Sequence, residues 1–409
     1  MKKNIFYLSL IQVLRFLTPL ITFPYLTRVL GVEGFGMLAY ASGIVIYLTL
    51  IVEFGFSKIS IIKVTKLREN KNALSNYIVT IFCSQLILYS LSILILLILH
   101  LLLSFSLDLF KLILILSLSS LGLIFTPNWL FLGLERIKEL IPFTLFGRLI
   151  SILLTVFFVN GPDDLLIAGL VQSSAFLISG LICIIYLITT KILFSYTIKL
   201  AHISQSFKDS FFIFITNFAS NLYMAAVPII IGVVLGPTYV AFYKVSDNIK
   251  SISLNLMNPI FNAVYSRFNN LYNKDRQQSI LFINRYFKLS LTLSILGSSI
   301  LFIFSKYIIE IIAGNNYLPA EIVLKIHALV IIISVLNQYL GTQTLITLGY
   351  HKIFSFIVCI GGCLSIIFIY PLIKEFNITG AAMSVVISEI IIFILLILIH
   401  SNKKIKIFF

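Results

Sequence analysis

Seven polar residues, Lys244, Asp247, Asn248, Ser251, Asn255, Asn258 and Asn262, step by three or four along one otherwise apolar stretch. At 3.6 residues per turn they form a single stripe on a helix. From Lys244 to Asn262 that stripe rises about 27 Å at 1.5 Å per residue. One or two such residues serve as hydrogen-bonding glue between helices. A long stripe bearing Lys244 and Asp247, with Lys250 close by, instead predicts an aqueous interior. A charged side chain left in hydrocarbon costs about 2.5–3.5 kcal/mol even on the lenient insertion scale.

Weaker versions of the pattern recur elsewhere: Gln12, Arg15 and Thr22; Thr144, Arg148, Ser151 and Thr155; Thr216, Asn217, Ser220 and Asn221; Ser334, Asn337, Gln338 and Thr342. Several helices are therefore expected to wet one interior, and its sign is positive. Arg15, Arg148, Lys244, Lys250 and Lys288 face only the acids Glu53, Asp247 and Glu389. Lys250 and Lys288 reach either that interior or the cytoplasmic interface. Arg15 and Arg148 have no acid within a turn on their own helix, so each needs an anion from another helix or from a ligand. The guanidinium fork suits phosphate, which makes a phosphate-bearing substrate the natural candidate. The expected substrate-binding set is Arg15, Arg148, Asn217, Asn221, Lys244, Asp247, Asn248, Ser251, Asn255 and Asn337. Asp247, Glu53 and Glu389 are the candidates for ion coupling.

Covalent and metal chemistry have no comparable signature. His100, His202, His327, His351 and His400 lack ligand spacing and read as interfacial or packing residues. Cys83, Cys183, Cys359 and Cys363 lie inside apolar runs and read as small core residues. Cys359 and Cys363 are one helical turn apart, which is poor disulfide geometry and only half of a structural zinc set. The acidic pair Asp163-Asp164, beside Gly161-Pro162, marks a turn. No catalytic residue, cofactor or metal is expected.

The elements that carry these residues follow from composition. Of 409 residues, 59% are hydrophobic and 11% charged, with a mean hydropathy of +1.07. Soluble domains carry about 25% charged residues, so this chain could not clothe a water-facing surface. That excludes a soluble enzyme and a disordered scaffold, and leaves an all-α polytopic membrane protein. Apolar segments fall at 7–30, 36–57, 77–103, 110–132, 140–159, 165–189, 211–235, 239–263, 286–308, 321–348, 353–373 and 379–400, each near the length of about 20 residues a crossing needs. Twelve crossings are predicted. The first reads as a retained helix, because Arg15 and Pro19 interrupt its core and no cleavage site follows.

The net charge of +15 sits in short connections, so it predicts orientation and not nucleic acid. With the amino terminus inside, twenty Lys and Arg fall in the cytoplasmic connections and termini and five outside. An even number of spans then places both termini in the cytoplasm. The chain also looks duplicated. Pro24-Tyr25-Leu26-Thr27-Arg28-Val29-Leu30-Gly31 and Pro228-Ile229-Ile230-Ile231-Gly232-Val233-Val234-Leu235-Gly236 both carry Pro before a Val-Leu-Gly exit. The seam is expected in the stretch 190–210, dividing the chain into 1–195, a connector 196–210, and 211–409.

The run Pro24–Gly31, with Pro19-Leu20 before it and Gly34-Phe35-Gly36 and Glu53-Phe54-Gly55-Phe56 after it, resembles the polysaccharide transporter family. These are the Wzx-type O-antigen and capsule flippases of the multidrug, oligosaccharidyl-lipid and polysaccharide exporter superfamily. The resemblance implies two six-helix lobes around a central cationic cavity. It also implies translocation of an undecaprenyl-diphosphate-linked oligosaccharide across a bacterial inner membrane, from the cytoplasmic to the outer leaflet. Arg15 would inherit the role of the first-helix arginines of related flippases, while Arg28 would be structural. Membrane lipid, a polysaccharide polymerase and chain-length machinery are the partners implied. A drug or cation antiporter of the same superfamily shares the architecture but would favour an acidic lumen. A membrane polymerase or glycosyltransferase would need a substantial outer loop, which the short connections do not provide.

Overall fold

In hydrocarbon every backbone N–H and C=O must be satisfied within its own segment, so long apolar runs have to become helices. The computed structural model describes side chains for residues 20–102, 105–194, 199–215, 226–272, 274–403 and 405, and the helical backbone alone at 2–19, 103 and 216–225. Thirteen α-helices and no strand occur among the described residues. They are α1 (Lys2–Glu53), α2 (Phe56–Leu67), α3 (Lys71–Leu103), α4 (Leu107–Ile124), α5 (Asn128–Gly133), α6 (Ile137–Phe158), α7 (Leu165–Thr189), α8 (Leu200–Val234), α9 (Pro237–Tyr272), α10 (Arg276–Ile303), α11 (Ser305–Ile312), α12 (Ala320–Asn337) and α13 (His351–Asn402). A π-helical stretch, Gln338–Ile346, continues α12.

Eight helical stretches among the described residues are long and apolar enough to cross a membrane. Two of them, Leu20–Leu67 and His351–Asn402, have about double length, and in each a helix is broken at one non-helical residue. Gly31 (φ 67°, ψ −177°) breaks α1 and Asn377 (φ 50°, ψ −135°) breaks α13. The connections expected at 31–35 and 374–378 are thus breaks of a single residue. Positive φ explains the residue types, since glycine has no Cβ to clash and Asn is among the few side chains that tolerate this region. α8 and α9, with 35 and 36 residues, are outside the eight. In α9 the polar stripe dilutes the apolar signal.

The chain forms two compact units, Met1–Asn221 and Leu222–Phe409. Their boundary lies inside α8, so the connector expected at 196–210 belongs to the first unit. Within that unit α4, α6 and α7 approach closely through small residues. A Cβ on Gly122 of α4 would overlap the Phe176 carbonyl of α7, and one on Gly180 would come within 2.8 Å of the Gly122 oxygen. Serine hydroxyls bind across the same seam. Ser173 donates to the Ile115 carbonyl at 2.9 Å, and Ser179 to that of Phe143 at 3.1 Å. Small residues and hydroxyls are what helix packing uses where lipid supplies no hydrophobic drive.

The Glu53–Phe56 stretch is the turn from α1 into α2. Phe54 (φ 42°) and Gly55 (φ 72°) interrupt the helix there. Phe54 stacks on Phe214 of α8 at 4.5 Å, and a Cβ on Gly55 would press within 2.9 Å of the Phe214 amide nitrogen. The second unit repeats the hydroxyl-to-carbonyl device, with Ser298 on Ala328 at 2.5 Å and Ser388 on Gly361 at 2.6 Å.

Candidate functional site

Helix α9 holds the expected stripe, and three of its charged side chains fold onto one another. Asp247 sits between two lysines spaced three residues either side. Lys244 Nζ lies 3.1 Å from Asp247 Oδ2, and Lys250 Nζ lies 2.7 Å from Oδ1. Lys250 is the more enclosed cation, its side chain 12% exposed. Its ammonium is therefore turned into the protein and paired. Both lysines already hold an acid, so an incoming anion must compete with Asp247 for them.

Two further helices complete the cluster. On α12, Asn337 donates through Nδ2 to Glu389 Oε2 of α13 at 2.6 Å and to the Glu389 carbonyl at 3.0 Å. Ser334 hydrogen-bonds the same carboxylate, and Lys250 acts on it electrostatically. His327, one face of α12 down from Ser334 and Asn337, is fully buried. Its Nδ1 pairs with Ser246 Oγ at 2.8 Å, and the ring meets Tyr243 edge-on at 5.2 Å. His327 Nε2 and Asn337 Oδ1 are buried without a hydrogen-bond partner. The result is a half-buried cluster of Lys244, Asp247, Lys250 and Glu389, ringed by amides and hydroxyls. Such a cluster can exchange one counter-ion for another or carry a proton.

The other expected site residues divide. Asn248 and Ser251 are half-buried beside Asp247 on the stripe. Asn258 donates to Asn255 at 2.9 Å, and Asn262 is exposed. The side chains of Arg15, Asn217 and Asn221 lie outside the described residues. Arg148 is half-buried on α6 and has a partner. Three other polar residues of α6 are corrected. Ser151 donates to the Val171 carbonyl of α7 at 2.9 Å, Thr155 to Ser151, and Thr144 to its own helix. Ser151 joins α6 to α7, and Thr155 and Thr144 are bound to the backbone of α6 itself, so these hydroxyl protons are spent on carbonyls and not on a wet interior. Glu53 lies at the end of α1, in the first unit.

His327, Ser334 and Lys250 were not singled out as site residues by sequence. A signal existed for two of them: 327, 334 and 337 follow a seven-then-three spacing that puts them on one helix face. Asp164 Oδ2 accepts from the Asn160 and Gly161 amides at 2.8 and 3.0 Å, so that acidic pair builds a turn. Tyr25 of the amino-terminal motif donates to the Val159 carbonyl at 2.8 Å, tying α1 to the end of α6. All four cysteines are free thiols, and no group of three potential metal ligands exists among the described residues.

The sequence pattern of the family described as "Polysaccharide biosynthesis protein" matches residues 1–272. The chain belongs to the polysaccharide biosynthesis protein family. Two relatives carry the name "Putative O-antigen transporter". The one from Escherichia coli (strain K12) is 32% identical over 99% of this chain and 97% of its own length. The other, from Shigella dysenteriae, is 26% identical over 96% and 98%. Among solved structures, an inward-facing multidrug resistance MATE family transporter of the MOP superfamily superposes with a TM-score of 0.74 at 12% identity, covering 95% of this chain and 96% of its own. The lipid II flippase MurJ, in an inward closed conformation, gives 0.72 at 15% identity, covering 98% and 88%. This member of the polysaccharide biosynthesis protein family therefore has the all-α, multi-span fold of MOP superfamily transporters. The resemblance carried by Pro24–Gly31 is borne out.

Proposed function

We propose that this protein is a flippase for a lipid-linked oligosaccharide, an O-antigen or capsule repeat unit on undecaprenyl diphosphate. It moves the headgroup from the cytoplasmic to the outer leaflet of a bacterial inner membrane by alternating access. The proposal includes twelve crossings in two six-crossing halves, with 196–210 as the connector and both termini in the cytoplasm. Family membership and the names of the two relatives support the substrate class. The single structural observation that carries it is the α9 cluster, where two lysines are held ready on one carboxylate.

The physical problem is charge and hydration. A sugar headgroup and a diphosphate of about two negative charges cannot cross hydrocarbon, where an unpaired ion costs many kcal/mol. A wet interior carrying cations removes most of that cost, and the polyprenyl tail stays in lipid throughout. Diphosphate displaces Asp247 from Lys244 and Lys250. Arg15 is assigned to the same anion, and Asn217, Asn221, Asn248, Ser251 and Asn255 to the sugar hydroxyls. No covalent step is needed, so the protein is not an enzyme in this reading. The polymerase and chain-length machinery would act on its product.

Coupling to an ion is assigned to Glu389 and Asp247. An antiporter of cationic drugs remains the second reading because both carboxylates are half-buried among hydrogen-bonding groups. Deleting the gene and identifying the lipid-linked intermediate that accumulates on the cytoplasmic leaflet tests the proposal. Loss of surface polysaccharide with that intermediate trapped inside is expected. Normal surface polysaccharide in the deletion strain, with raised sensitivity to cationic drugs, would favour the antiporter.

A further inference from the structure

A groove of about 510 Å³ opens on the surface of the second unit between α9 and α10, and it shares no residue with the charge cluster around Asp247. Pro259, Ala263 and Arg267 line it from α9, about one per helical turn, and Phe282, Tyr286 and Leu289 line it from α10. The two helices meet at the short connection 273–275, so they run antiparallel and give the groove a direction. Arg267 and Phe282 lie six and seven residues from the ends of that connection, Pro259 and Leu289 fourteen. The charged end is therefore at the connection, and the apolar end lies deeper along the helices.

Arg267 is exposed and makes no salt bridge among the described residues. Over 262–286 four basic residues, Arg267, Lys274, Arg276 and Arg285, stand against one acid, Asp275. That carboxylate caps α10 at the Gln278 amide, 3.0 Å away. An anion is what this end of the groove lacks. Along the rest, Phe282 and Tyr286 pack their rings 4.7 Å apart as one wall, and Ala263 on the other is too small to fill the space. The eight residues from Pro259 to Arg267 rise about 12 Å, under half of the ~30 Å hydrocarbon thickness. The groove thus has the depth of one leaflet.

We propose that this groove binds one anionic glycerophospholipid of the leaflet beside the 273–275 connection, with its phosphate on Arg267 and one acyl chain laid between Ala263, Tyr286 and Leu289. A guanidinium fork matches phosphate oxygens, and basic pockets between membrane helices select acidic lipid headgroups. One-leaflet depth fits an acyl chain, whereas a long polyprenyl chain would leave most of its length outside. A second copy of the chain would bring about 20–30 residues a side to a stable interface, more than this strip holds. The site needs only the membrane-spanning fold and does not depend on what the protein transports.

The test is native mass spectrometry of the purified full-length protein, titrated in detergent with dioleoyl phosphatidylglycerol or dioleoyl phosphatidylcholine. One phosphatidylglycerol per chain is expected, bound more tightly than phosphatidylcholine. Arg267→Gln should weaken it about fivefold, the ~1 kcal/mol that one Arg contributes near an anionic lipid surface, and leave phosphatidylcholine unchanged. Ala263→Leu, which fills the groove, should weaken both lipids. Lys306→Gln removes an exposed charge beyond the far end of α10 and should change nothing. Size-exclusion elution checks that each variant is folded, and the exposed Arg267 and Lys306 are the positions least able to disturb packing. Equal retention of the two lipids by the wild type overturns the proposal, as does an equal loss in Arg267→Gln and Lys306→Gln. Displacement of phosphatidylglycerol by equimolar undecaprenyl phosphate would give the groove to a polyprenyl chain, and a dimer lost in Ala263→Leu would give it to a second copy; either overturns it too. None of the first three readouts involves a transported substrate, so their failure leaves the flippase reading untouched.

Discussion

Asn337 of α12 holds Glu389 of α13 twice, by its carboxylate oxygen at 2.6 Å and by its main-chain carbonyl at 3.0 Å. One amide thus orients an acidic side chain and clamps the helix that bears it.

Removing that amide separates the two roles. Asn337→Ala takes a donor from a half-buried carboxylate, and hydrogen bonds to charged groups are worth about 1.5–3 kcal/mol. A lowered melting temperature of the purified protein is expected. Glu389→Gln keeps the shape and should melt near the wild type, while transport in proteoliposomes loses its dependence on an imposed pH gradient. Unchanged gradient dependence in Glu389→Gln would remove Glu389 from coupling.

Asp247 is expected to behave as a counter-ion. Asp247→Asn frees Lys244 and Lys250 for diphosphate, so substrate binding should tighten while turnover slows, because a ligand shifts populations only through differential affinity for the two states. A double-mutant cycle of Asp247→Asn with Lys250→Gln should give a coupling of about 1–3 kcal/mol in stability. A coupling near zero would mean that the 2.7 Å contact contributes nothing.

Lys63 of α2 and Asp209 of α8, in stretches the sequence reads as connections between crossings, make the corresponding test. The Lys63 hydrogen bond at 2.5 Å holds the Asp209 carboxyl below its ordinary range. A depressed carboxyl stabilises the fold above its unfolded pKa of about 3.9 and loses that contribution as pH falls through the lower folded value. With side chains 36% and 25% exposed, the pair is worth at most about 1 kcal/mol. Asp209→Asn should therefore cost a small, constant amount between pH 5 and 8. The cost should begin to shrink below about pH 4 and vanish only once the pH lies below the depressed folded value, in thermal melts. A difference that grows on acidification would contradict the pairing.

Gly122 is the sharpest packing test, since any side chain there meets the α7 backbone. Gly122→Ala should destabilise by about 1–3 kcal/mol, the range for forcing extra volume into a packed seam. Gly161→Ala has open space at its Cβ and should melt like the wild type. Equal melting of both would mean that α4 and α7 are not in contact.

Apolar length and charge spacing made the helices and the α9 stripe legible, because both are properties of one segment. Gly31 and Asn377 show the limit of that reading: the break was visible, but whether it spans five residues or one is decided by backbone dihedrals. Asp247 between Lys244 and Lys250 was readable because all three lie on one helix. Asn337 and Glu389 were each noticed, but their pairing joins residues 52 apart, and no local period encodes it. Ser151 and Thr155 were misread because hydroxyls facing water and hydroxyls facing a neighbouring carbonyl follow the same 3.6 period. His327 was passed over because a lone histidine in an apolar run looks the same whether it packs or neighbours a charge cluster.

The hydroxyl-to-carbonyl bonds that join the helices, from Ser151, Ser173 and Ser179 in one unit and Ser298 and Ser388 in the other, have a consequence for experiment. Neither a serine hydroxyl nor a peptide carbonyl titrates in the working range, and neither is an ion that salt can screen. These bonds are therefore indifferent to two variables to which the charged cluster on α9 responds. Between pH 5 and 8, where the Lys63–Asp209 pair is also constant, a change in transport with acidity reports titrating groups and not these joints.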